Sequence, residues 1–154
     1  MSEQSMADAL LAMWIAKAPA STYVLAANSS ARGDLSVFWE NEHGIVITPG
    51  AFSNVDGAIS KQHDRTWDFD VYVAARYDDE PGTILKVLQV TQALIDTTDE
   101  WPKLNGTSGV FNAKVIAGDR PELSTLAADQ DGPTYVTRRL TVRVQEIAEI
   151  TESE

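Results

Sequence analysis

The chain has 154 residues, enough for one ordinary domain, and 44% of them are hydrophobic, which excludes wholesale disorder. Twelve basic side chains stand against 23 acidic ones, a net charge of -11. Nucleic-acid affinity rests on Lys and Arg neutralising phosphates, so this balance argues against a DNA-gripping protein. There is no cysteine, which removes disulfides, thiolate nucleophiles and cysteine zinc sites together.

The opening "MSEQSMADALLAMWIAKAPA" is interrupted by Asp8 and has no basic residue before its apolar run, so no export signal is expected. No apolar run reaches the roughly 18 residues of a membrane span, and the expectation is a soluble protein or a subunit of a soluble particle. Residues 5–18 carry Met6, Leu10, Met13, Trp14 and Lys17 at helical spacing, with Ser5 and Asp8 as the expected N-terminal cap and Pro19 as the stop. After the loop "STYVLAANSSARGD", the pieces "DLSVFW" and "GIVITPG" read as short strands parted by the turn "ENEHG", the second closed by Pro49-Gly50. The stretch "AFSNVDGAISKQHD" is expected to be a projecting loop or a pair of weak strands.

"TWDFDVYVAARY" is the most regular strand in the sequence. Trp67, Phe69, Val71 and Val73 share one parity, Thr66, Asp68, Asp70 and Tyr72 the other, as in a strand with one buried and one wet face. Pro81 and the acids before it suit a helix start. From Thr83 to Thr97 the residues Ile84, Val87, Leu88, Val90, Thr91, Leu94 and Ile95 form a stripe expected to lie on the apolar strand face. "DTTDEWPKLNGTSG" reads as a loop, "VFNAKVIAG" as an alternating strand, and "DRPELSTLAADQDGP" as a long loop with at most one helical turn. "TYVTRRLTVRVQEI" places Leu140, Val142 and Val144 opposite Arg139, Thr141, Arg143 and Gln145, before an acidic tail beginning at Glu146. Two helices beside hairpin-linked strands predict a single α+β domain over 1–154: a mostly antiparallel sheet packed by the N-terminal helix and the helix at 83–97, with loops at 53–65, 98–109 and 119–132.

Motifs for chemistry are scarce. No phosphate-cradling glycine loop, no H-E-x-x-H and no nucleophile elbow is present. His43 beside Glu42 and His63 beside Asp64 would make a mixed metal site or an acid/base cluster only if the chain between them folded back. Asp68 and Asp70 put two carboxylates on one strand face, suited to a cation, a shared proton or, more simply, a wet or interface surface. Arg139 and Arg143 are able to pair with them across strands or with a carboxylate of another subunit. Trp101, beside Pro102 in a polar loop, is either an anchor for a partner's pocket or folded back on its own domain. No catalytic residue, cofactor or metal is assigned; Asp68, Asp70, Trp101, Arg139 and Arg143 are the candidate interface or channel residues.

An N-terminal amphipathic helix, short strands, "TWDFDVYVAARY", the helix "TILKVLQVTQALID", another strand and the closing "TYVTRRLTVRVQEI" together resemble the tail-terminator or tail-completion proteins of long-tailed bacteriophages. The resemblance spans roughly residues 6–147 and rests on size, element order and patterning. It implies a structural, non-enzymatic subunit of a hexameric ring at the head-tail junction of a virion. Its partners would be the tail-tube protein and the head-connector protein, with DNA crossing the ring without specific binding and no membrane involved. An acidic ring suits such a channel, and closure requires unlike patches on each subunit. The alternative is a small α+β module binding a peptide or small ligand, with Trp101 and the loop 53–65 at its mouth; an enzyme version would use His43 or His63 with Asp64, Asp68 or Asp70.

Overall fold

The computed structural model describes residues 2–19, 29–32, 43–56, 62–76, 80–107, 109–124 and 135–149. In chain order these give α1 (Glu3–Lys17), β1 (Ser29–Ser30), β2 (His43–Asp56), β3 (Gln62–Arg76), α2 (Glu80–Glu100), β4 (Val110–Gly118), β5 (Glu122–Ser124) and β6 (Tyr135–Glu149). The fold is α+β, as the hydrophobic pattern predicts.

Helix α1 starts earlier than expected. Ser2, not Ser5, is the cap: its extended backbone leaves the helix, and its hydroxyl accepts the Ser5 amide. At the other end Ala18, held extended by the following Pro19, donates its amide to the Trp14 carbonyl. Met6, Leu10, Met13 and Trp14 are fully buried along one stripe.

The strands lie in the order β1-β2-β3-β6-β4, with β5 also on β6. Among the described residues β1 runs parallel to its neighbour and the other pairings are antiparallel. On β6, β4 occupies Leu140 to Glu146 and β5 takes Tyr135 to Thr137, so the two follow one another along the same flank. Trp67, Phe69, Val71, Val73 and Ala75 of β3 join Ile45, Ile47, Leu140, Val142 and Val144 beneath both helices in one core. Each large side chain so buried contributes about 1.5–3 kcal/mol.

Several boundaries differ from expectation, each for a local reason. β2 begins at His43 and does not end at Pro49-Gly50: it passes through a bulge that sets Gly50 and Ala51 opposite Asp68, then pairs with β3 as far as Asp56. Pro and Gly are tolerated there because the bulge interrupts the regular ladder at these positions. The loop expected at 53–65 is therefore paired strand at 53–56 and 62–65, and residues 57–61 lie outside the described ones.

Helix α2 runs three residues past Thr97, taking the first residues of the loop expected at 98–109. Thr97 and Thr98 are buried because their hydroxyls donate to the carbonyls of Ala93 and Leu94 at 2.6 and 2.7 Å. Within the stripe, Val87, Val90, Thr91 and Leu94 are buried, whereas Leu88, expected in the core, is 40% exposed. In β4 two bulges break the alternation, so that Val110 and Ala113 both face the core. Residues 122–124, inside the loop expected at 119–132, form β5. Glu146 and Glu149, expected to open an acidic tail, belong to β6, and Glu146 is buried. The strand expected at "DLSVFW" and the tail from Ile150 lie outside the described residues.

Candidate functional site

Because both helices cover one face of the sheet, the other face carries its exposed polar chemistry. Alternation along β3 and β6 aims Thr66, Asp68, Asp70 and Tyr72, with Arg139, Thr141, Arg143 and Gln145, away from the helices. Register sets Asp68 directly opposite Arg143. The guanidinium grips the carboxylate with two parallel bonds, Nε to Oδ1 at 2.9 Å and Nη2 to Oδ2 at 3.1 Å. This fork geometry fixes both side chains on the sheet surface. The hydrogen bond to Asp68, together with its charge, raises Arg143 above the ordinary arginine value. On the far side of Arg143 stands Lys114 of β4, a like charge that Asp68 offsets.

Asp70, one step along, faces Thr141, and its carbonyl accepts the Thr48 hydroxyl at 3.0 Å. Arg139, opposite Tyr72, does not pair with a β3 carboxylate: its Nε lies 3.0 Å from Asp119 Oδ2, at the end of β4. Asp119 first, then Asp70, raises Arg139 above the ordinary value. The neighbouring Arg138 donates to the Asp119 carbonyl at 2.9 Å, so one short segment orders two arginines. Asn112 donates to Gln145 at 3.3 Å and closes the row on the β4 side. Two ion pairs, Asp68–Arg143 and Asp119–Arg139, thus order the middle of this face, with Asp70 and Lys114 beside them and Asp64, Arg76 and Glu122 further out.

Toward the start of β6 the same face changes character. Val46, Ala74 and Tyr135 form a second buried cluster with Tyr72 against it, and the Arg76 guanidinium stands 6.0 Å from the centre of the Tyr135 ring. At the opposite end, on the helix side, Arg65 lies 3.7 Å from the buried Glu146.

Trp101 lies apart from these residues. It is half-buried against the helix-side core, its amide continues the α2 ladder to Thr97, and the Lys17 ammonium sits 4.3 Å above its ring. It thereby joins the C-terminal ends of α1 and α2. The two histidines do not come together. His43 opens β2 and pairs with Ala75, while His63 pairs with Asp56 at the far end of the same hairpin. Thirteen residues of strand separate their levels, roughly 40 Å. The mixed cluster that would need them folded together is overturned by this register. Among the described residues no three His, Asp or Glu side chains are grouped as a metal ligand set.

The sequence does not single out Asp119 or Lys114. Asp119 follows a strand and precedes Arg120-Pro121, a context that reads only as loop, and its role emerges from the β4–β6 register. Compared with known proteins, the chain matches no protein-family model, and no curated protein resembles it at a significant level.

Proposed function

We propose that this chain is a structural assembly protein without turnover, a subunit of a hexameric ring that ends a bacteriophage tail tube and contributes to head-tail joining. The observation that carries this reading is the one-sided sheet. Its helix-covered face makes the core, and its other face holds an ordered polar row from Asp68–Arg143 to Arg139–Asp119. Side chains already held in place by their neighbours present a fixed polar surface, which suits a protein partner because little ordering is lost on contact. It suits the wall of a DNA channel less well, because Arg139 and Arg143 would attract phosphates there. The row is therefore assigned to contact with the tail-tube or head-connector protein, and the acidic remainder of the subunit to the surfaces past which DNA slides. The alternative, a small α+β module binding a peptide or small ligand, would have Trp101 and the segment between the paired strands at 53–56 and 62–65 at its mouth.

Purification of the virions made by the genome that encodes this chain, followed by mass spectrometry of their tails, tests the reading. The chain should co-purify with tails in a few copies per particle; a strictly monomeric protein absent from virions would sink it.

A further inference from the structure

The turn that carries α2 into β4 holds the one asparagine of the chain that glycine follows, Asn105-Gly106. Leu104, Asn105 and Gly106 stand in succession at φ 51°, 58° and 83°. Glycine alone enters that region without steric cost, and Leu104 is held there with its side chain sunk in the helix-side core. The turn is closed by two bonds from one residue: the Thr107 amide donates to the Lys103 carbonyl at 2.9 Å, and the Thr107 hydroxyl to the Leu104 carbonyl at 2.8 Å. Asn105 and Gly106 themselves are exposed. Among the described residues, neither the Asn105 carboxamide nor the Gly106 N–H has a hydrogen-bond partner. A Cβ on Gly106 would meet nothing within 4 Å, so the space beside this peptide is open.

A backbone nitrogen beside a side-chain carboxamide is a nucleophile for ring closure, and glycine leaves that nitrogen uncrowded. We propose that Asn105 is a site of spontaneous deamidation and isomerisation, with water as the co-reactant. The Gly106 nitrogen bonds to Asn105 Cγ and gives its proton to solvent, while the Cγ–Nδ2 bond breaks and ammonia leaves a cyclic imide. Water then adds to either ring carbonyl and opens the ring to aspartate or isoaspartate, with no change of oxidation state. Ring closure needs the Gly106 nitrogen to swing over the carboxamide, a rotation about the Asn105 Cα–C bond that the two Thr107 bonds oppose. The reaction therefore runs through the open turn, a local opening that leaves the sheet intact. Aspartate keeps the chain length and tolerates positive φ as asparagine does. Isoaspartate puts one more backbone atom between the Lys103 carbonyl and the Thr107 amide, so it breaks the closure of the turn. The site stands independently of the assembly reading.

Trypsin excises the segment from Leu104 to Lys114, which carries both Asn105 and Asn112. Asn112 is the internal control: it precedes Ala113, lies in paired strand and donates its carboxamide to Gln145. The purified chain, incubated at mildly alkaline pH and body temperature and then digested, should show the amide replaced by a hydroxyl at Asn105 while Asn112 stays an amide. Incubation in heavy-oxygen water should place the heavy atom at residue 105. Thr107→Val removes the hydroxyl bond to Leu104 and should speed conversion about 2–10-fold, the weight of one ordinary hydrogen bond. The isoaspartate form, separated from the fresh chain, should melt at a lower temperature. Asn105 that persists as an amide, or converts no faster than Asn112, overturns the site. A rate unchanged in Thr107→Val, or an isoaspartate form that melts with the fresh chain, overturns the role given to the turn.

Discussion

Gly50 shows how one residue permits the geometry of the candidate face. A Cβ at this position would lie 2.3 Å from the Asp68 carbonyl oxygen, so β2 crosses its bulge against β3 only because no side chain is there. Gly50→Ala should therefore cost about 1–3 kcal/mol, measured by chemical denaturation, and should disturb Asp68 with it. The two parities of β3 give a sharper contrast. Val71 is fully buried beneath the helices, and Val71→Asp, which buries an unpaired charge, should cost about 4 kcal/mol or more and leave little folded protein. Asp70→Ala, on the open face, should melt close to the wild type while altering assembly. Thermal unfolding of the pair checks this, and similar losses would reverse the face assignment. The Asp68–Arg143 pair was legible as a possibility from strand parity; Arg139 was not, because its partner comes from a loop whose position depends on the β4 register.

At the scale of elements, regular hydrophobic periods were readable and irregularities were not. β3 and β6 alternate without interruption over the core, and α1 and α2 carry stripes at helical spacing, so their existence and buried faces follow from the sequence. Read from the sequence, β2 ends too early, at Pro49-Gly50, a strong stop signal that the bulge overrides. The alternation of β4 fails at its bulges, which depend on what β6 presents and leave no mark in β4 itself. Leu88 shows the limit of a stripe: adding it to Val87, Leu94 and Ile95 makes the stripe wider than the sheet surface that α2 covers. Leu94→Ala should accordingly cost about 2–5 kcal/mol by cavity formation. Leu88→Ala should stay within about 0.5 kcal/mol, and denaturant midpoints of the two variants check the difference.

For the whole molecule, the division of labour between the two sheet faces links fold to function. One face is committed to a core shared by α1 and α2, which hold together at their C-terminal ends through Trp14 Nε1 donating to Thr98 Oγ1 at 2.9 Å and through Lys17 over Trp101. The other face is divided: Val46, Ala74 and Tyr135 are buried at one end of it, and the polar row around Asp68–Arg143 lies at the surface beyond them. If the proposed assembly role holds, contacts made through the polar row would leave this core unchanged. The most direct measurement is electron cryomicroscopy of the virions made by the encoding genome. The account predicts six copies of this fold in one ring where the tail tube meets the head connector, with the Asp68–Arg143 face against a protein partner. A particle whose tail end contains no copy of this fold, while the chain is made in the same infected cells, would contradict it.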